Sequence, residues 1–151
     1  MEKDDLIDKY IESNFFGKLI NLHFDPDNFR AGEGVAENFL TITKDHLATP
    51  NAAHGGVVSA LVDGALGLAA LNAVYKENKA VSTVEYKINF LSPALLNDEL
   101  VAKARIEHKG KRIIIASCDV FCVNRQNKLI AKALGTFNAY DANRAGYHTT
   151  V

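Results

Sequence analysis

Apolar positions follow two different rhythms along the chain. Near the start, Leu6, Ile7, Tyr10 and Ile11 recur at helical spacing, and Asp4 or Asp5 can cap the start of the helix they form. The spacing predicts a short amphipathic helix over 5–14, broken by Asn14 to Gly17. Lys18 to Phe24 then reads as a strand closed by the turn-forming Asp25-Pro26-Asp27-Asn28, and a second strand is expected over 34–43, with Ala36, Phe39 and Ile42 inward. From residue 80 the period becomes two. Ser82, Val84, Tyr86, Ile88 and Phe90 alternate with Thr83, Glu85, Lys87 and Asn89, which predicts a half-buried strand ending at Ser92-Pro93. Leu100, Ala102, Ala104 and Ile106 alternate in the same way with Lys103, Arg105 and Glu107. His108 to Arg112 forms a turn, and Ile113–Val123 and Lys128–Phe137 are two further strands joined by Arg125-Gln126-Asn127.

Between the two patterns lies a stretch with neither. After a loop over 44–53 that holds Pro50 and Asn51, residues 53–74 read AHGGVVSALVDGALGLAALNAV, apolar or small on nearly every side of a helix, with one carboxylate, Asp63, in the middle. Such a helix must be enclosed, and the surface available is an antiparallel sheet with one apolar face curled around it. Gly56, Ala60, Gly64 and Gly67 form a small-residue stripe where backbone can approach closely. Residues 56–75 are long and apolar enough to suggest a membrane span. Asp63, Ser59, Asn72 and the glycines argue against one, because a mid-span acid is costly in lipid. The expected order is a helix, two strands, the long helix and four more strands, without an internal repeat or a low-complexity segment. A helical segment over 1–16, one folded unit over 17–139 and a polar tail over 140–151 divide the chain.

Composition narrows the classes. The 151 residues suit one domain; apolar residues make up 48%, charged residues 23%, and the net charge is −1. Lys and Arg are scattered among Asp and Glu, so a nucleic-acid partner is not expected. The acidic, amphipathic start lacks the pattern of a signal segment, which points to a cytoplasmic protein. Cys118 and Cys122 lie about 13 Å apart along one strand, too far to bridge, and are expected as free thiols in the core. His23, His46, His108 and His148 fall in different elements without ligand spacing, so no metal site is expected.

Asp63 carries the chemistry. An acid in apolar surroundings must be paired, shifted in pKa or placed at a cleft. The run His54-Gly55-Gly56-Val57-Val58-Ser59-Ala60-Leu61-Val62-Asp63 resembles the HGG-x-x-x-x-L-x-D/E signature of the PaaI-like branch of hotdog-fold acyl-CoA thioesterases. Val81-Ser82-Thr83-Val84 and Phe90-Leu91-Ser92-Pro93-Ala94 are similar to that family's third strand and its exit. The resemblance implies an α+β hotdog fold, a curved antiparallel sheet wrapped around one long helix. It implies hydrolysis of an acyl-CoA thioester without metal or cofactor, coenzyme A being part of the substrate. By the same resemblance, the Gly55 N–H would polarise the thioester carbonyl, His54 would position that turn, Asp63 would be nucleophile or general base, and Thr83 would orient the acid or the water.

Helix geometry adds an independent constraint. Gly55 and Asp63 are separated by about 12 Å of rise and about 80° of rotation on one helix, so they cannot serve the same carbonyl from one chain. A homodimer with antiparallel helices and two shared sites follows, and the resemblance implies that such dimers can pair into tetramers. Gly56, Ser59, Leu61 and Leu66 are expected beside the substrate, the two leucines lining an acyl tunnel. Lys109, Lys111 and Arg112 form a basic turn suited to the phosphates of coenzyme A. In one respect the chain departs from the family: Ala48 stands where relatives carry Asn or Gln six residues before the histidine, and Asn51 is the candidate replacement. The alternative function is a non-catalytic acyl-CoA-binding module. A dehydratase on the same fold is weaker, since dehydration needs a differently placed histidine and acid.

Overall fold

The computed structural model describes residues 3–24 and 34–147. Helix α1 (Lys3–Ser13) is followed directly by a short helix α2 (Phe15–Leu19). Strand β1 (Val35–Thr41), helix α3 (Gly55–Val74) and strands β2 (Lys79–Phe90), β3 (Glu99–Lys109), β4 (Ile113–Cys122) and β5 (Lys128–Asp141) complete the chain. The five strands form one antiparallel sheet in the order β1-β3-β4-β5-β2, with α3 packed across its concave face. By length and hydropathy α3 could cross a membrane, but most of it is buried, as an apolar core helix requires.

The alternation in β3 and β4 has the expected outcome, with Leu100, Ala102 and Ala104 buried and Lys103, Arg105 and Glu107 exposed. Cys118 and Cys122 are buried free thiols. Three local expectations need correction. Residues 18–24 are not a strand: Asn14 caps α2 by accepting the Gly17 N–H at 3.0 Å, and only His23 makes a β-bridge, to Phe39. The described residues therefore hold five strands, and the turn expected at 25–28 lies outside them. In β1 the inward residues are Ala36, Asn38 and Leu40, continued by Ile42; Phe39 has the opposite parity and is exposed.

The third correction concerns β2, which is far more exposed than half-buried and does not alternate cleanly. Its register against β5 shifts between Thr83 and Glu85, so that Thr83 faces Phe137 while Glu85 faces Thr136. A bulge of one residue at Val84 reverses the parity of the strand. Thr83 and Tyr86, three apart, therefore both reach α3: the Thr83 hydroxyl bonds Asp63 and the Tyr86 hydroxyl bonds Ser59 at 2.7 Å.

Segments set apart by sequence pattern share the core. Leu6 and Ile7 of α1 are 1% and 0% exposed, β5 runs past residue 139 to Asp141, and Ala142 is buried. Tyr147 packs against the same cluster.

Candidate active site

The first half of the site is the N-terminus of α3. His54 is its N-cap, in extended backbone, and its Nδ1 accepts the Gly56 N–H at 2.8 Å, which leaves the ring proton on Nε2. Three backbone bonds hold this corner: His54 N–H to His46 C=O at 2.8 Å, Ala53 N–H to Ala94 C=O at 2.8 Å, and Val57 N–H to His54 C=O at 3.0 Å. The buried His46 is itself fixed by backbone, its Nδ1 accepting the Thr43 N–H at 3.1 Å and its Nε2 donating to the Ile20 C=O at 3.0 Å. Among the described residues the Gly55 N–H has no acceptor. It opens on a cavity of about 310 Å³ lined by Val58, Phe90, Leu91, Ser92, Pro93 and Ala94, beside Ala53 and Gly55. A lone N–H at the positive end of a 20-residue helix is suited to an oxygen that gains negative charge.

Asp63 forms the second half. It is partly buried on α3, and the Thr83 Oγ1 donates to its Oδ1 at 2.8 Å. That bond holds one carboxylate oxygen, and Asp63 lines a cavity of about 270 Å³. Helix residues Ala60, Gly64 and Gly67 make one wall, Val81 to Thr83 and Phe137 a second, and Tyr10 and Tyr147 close it from outside the sheet. Burial pushes the Tyr10 phenol up to about 12, with Tyr147 and then Asp63 acting in the same direction. The two cavities share no residue, consistent with the separation of Gly55 from Asp63 along the helix.

The remaining expected site residues distribute unevenly. Gly56 is occupied in the His54 cap and Ser59 in the bond to Tyr86. Leu61 and Leu66 are fully buried core residues and line neither cavity; the cleft face of α3 is the stripe of Ala60, Gly64 and Gly67. Asn51 is exposed and does not line the Gly55 cavity; its Oδ1 accepts from the Thr49 hydroxyl at 3.5 Å and its C=O from the Leu96 N–H. Lys109 donates to the Ala73 C=O and pairs with Glu77, whose carboxyl is pulled down to about 2 by Lys109 and Lys79. Lys111 and Arg112 are exposed at the same turn. That turn is at the C-terminal end of α3, about 28 Å of helix from Gly55. Among the described residues no group of three His, Cys, Asp or Glu could hold a metal.

A second set of residues escaped sequence reasoning. Asp98, 4% exposed, accepts from the Nε of Arg125 at 2.9 Å and from its Nη2, while Arg125 also donates to the Pro93 C=O at 2.9 Å. The clamp ties the loop that carries Ala94, and with it the start of α3, to the β4–β5 connection. Its partners are 27 residues apart, and no local signal pairs them.

A single long helix enclosed by a curved five-stranded antiparallel sheet, open at the helix N-terminus and at a mid-helix acid, defines a hotdog-fold protein. The thioesterase superfamily model matches residues 51–128, just over half the chain, and the chain belongs to that family. The acyl-coenzyme A thioesterase PaaI of Escherichia coli strain K12 is 31% identical over 99 residues, 66% of this chain and 66% of that protein. Mouse acyl-coenzyme A thioesterase 13 is 32% identical over 98 residues, 64% of this chain and 67% of that one. The chain thus spans 64–67% of the length of the curated relatives it matches. The solved structure of the E. coli PaaI protein from the phenylacetic acid degradation operon superposes with a TM-score of 0.77 at 23% identity, covering 91% of this chain and 94% of that one.

Proposed function

We propose that this protein is an acyl-CoA thioesterase whose sites are shared between two subunits of a homodimer. The observation that carries the proposal is a pair of complementary half-sites: the unsatisfied Gly55 N–H, and the Thr83-held Asp63 beside a pocket. The two are too far apart to act together in one chain. With α3 of each subunit laid antiparallel, the Gly55 end of one reaches Asp63 of the partner subunit. Strand β2 supports such pairing, since it is a sheet edge and carries the exposed apolar residues Val84 and Phe90, with Leu91 just beyond. The same arrangement brings Lys111 and Arg112 of one chain toward the partner's Gly55 end, where coenzyme A phosphates would lie. Pairing of dimers into tetramers and a cytoplasmic location belong to this reading.

In the reaction the acyl group occupies the Asp63 cavity and the thioester carbonyl accepts the Gly55 N–H. The free oxygen of Asp63 either takes a proton from water as that water attacks the carbonyl, or attacks it directly to give an anhydride that water then opens. In both routes the carbon–sulfur bond breaks, the thiolate of coenzyme A leaves with a proton, and the free acid remains. Neither route needs a metal or a cofactor.

Release of thiol from a panel of acyl-CoA thioesters tests the proposal. The wild type should turn over at least one acyl class, and Asp63→Asn should lower kcat by about a hundredfold or more, in the range typical of losing a positioned base. Undiminished turnover in the variant overturns the assigned role. A second reading, an acyl-CoA-binding module without turnover, draws on Ala48 and on the position of Asn51 away from Gly55. Saturable binding with no hydrolysis by the wild type selects it.

A further inference from the structure

We propose that Tyr10 is the partition that sets the length of acyl chain the enzyme accepts. The inference rests on the Asp63 cavity being the acyl pocket. Next to that cavity lies a smaller one of about 70 Å³, and the two share Tyr10, Asn14 and Leu22 as common lining. Leu6 and Ile7, one helical turn before Tyr10, anchor α1 in the core, where Tyr10 packs against the same cluster. The aromatic ring thus stands where an acyl chain running from Asp63 past Gly64 and Gly67 would continue.

Beyond Tyr10 the small cavity is also chemically unsuited to an alkyl terminus. It is lined by Asn38, 3% exposed, whose Oδ1 has no hydrogen-bond partner among the described residues. The Asn38 amide packs close against α3: a Cβ placed on Gly64 would lie 2.7 Å from its Nδ2. That oxygen is already shielded from solvent, and an alkyl terminus reaching it would supply no donor. The Tyr10 ring therefore closes the pocket, and the buried Asn38 amide lies in the small cavity next to it. At about 270 Å³ the pocket in front of them is small for a ligand site, in keeping with short acyl groups.

The test is the dependence of kcat/KM on chain length for saturated straight-chain acyl-CoAs, with binding of their non-hydrolysable thioether analogues measured alongside. The wild type should show a sharp cut-off. In Tyr10→Ala and Tyr10→Leu the cut-off should move to longer chains, with kcat/KM for the first chain beyond the wild-type limit rising about tenfold, the scale of one methylene in a fitted pocket. Adding Asn38→Leu to Tyr10→Ala should extend it further, whereas Tyr10→Phe should keep the wild-type cut-off. An unchanged cut-off in either truncated variant, folded by circular dichroism, overturns the proposal. So does a shift equally large in Tyr10→Phe. Should the wild type hydrolyse no acyl-CoA, the thioesterase reading fails separately. The cut-off is then read from thioether binding, where an unshifted length profile overturns the partition.

Discussion

At the scale of single residues, the site depends on atoms whose partners are already fixed. The Thr83 hydroxyl bonds one oxygen of Asp63 and so restrains a carboxylate that lines the cavity. Thr83→Val removes that donor while keeping the shape, and it should lower kcat by about tenfold to a hundredfold. Thr83 is exposed, so the melting temperature should barely move. Loss of stability comparable to the loss of rate would show a structural role instead. Cys118 offers a check on the core. Burial, then the Asp119 charge, push its thiol up to about 12, so the thiolate is disfavoured at any pH near neutral. Iodoacetamide at pH 8 should leave Cys118 unlabelled in the folded protein and label it once urea unfolds the chain, as read by mass spectrometry. Of these residues, His54, Gly55 and Asp63 are the ones that motif and helix offset single out in the sequence as candidates. The contact of Thr83 with Asp63 followed from the family resemblance and could not have come from alternation, since the bulge at Val84 reverses the strand. The cleft face of α3 was illegible for a different reason. A helix apolar on all sides gives no moment to orient it, and Leu61 and Leu66 proved to be core while the small residues face the cavity.

At the scale of elements, the start of α3 bonds a loop that is held by the β4–β5 connection. Asp98 is buried and doubly engaged by Arg125, and it also accepts the Leu95 N–H at 2.7 Å. Arg125→Ala leaves that carboxylate buried without its cation, an arrangement that typically costs about 3–5 kcal/mol. Chemical denaturation should report a loss of about that size. Asp98→Asn, which keeps the shape and an acceptor for the Leu95 N–H, should lose less. Equal small losses in both variants would mean that water replaces the pair without penalty. Sequence pattern captured β3, β4 and β5 because each has one apolar face against α3 and one facing outward, which is the condition under which a period of two appears. It failed at α2, where the Asn14 cap decides the local conformation against an apolar pattern that suits a strand equally well. It could not see the Asp98–Arg125 clamp, which joins two connections distant in the chain.

At the scale of the whole molecule, the separation of the half-sites makes a prediction that no single-chain mechanism shares. Gly55 is the first residue of α3, preceded by His54 at φ −61° and ψ 135°, a conformation that tolerates a following proline. A Cβ at Gly55 would meet only the Phe90 ring, at 3.5 Å, an ordinary contact. Gly55→Pro therefore removes the polarising N–H with little reason to disturb the helix. Both Gly55→Pro and Asp63→Asn homodimers should be inactive. In a heterodimer of the two, the Gly55 end of the Asp63→Asn chain meets the intact Asp63 of the partner subunit, so one site is whole and the other doubly broken. Differently tagged chains, co-expressed and purified as the verified mixed dimer, should then regain about half of wild-type activity with an unchanged KM. If each site were built within one chain, every site in the mixed dimer would carry one lesion and no activity would return. The apolar edge of β2 fits the first outcome, because the surface that exposes Val84 and Phe90 in the single chain is the surface along which two sheets would join.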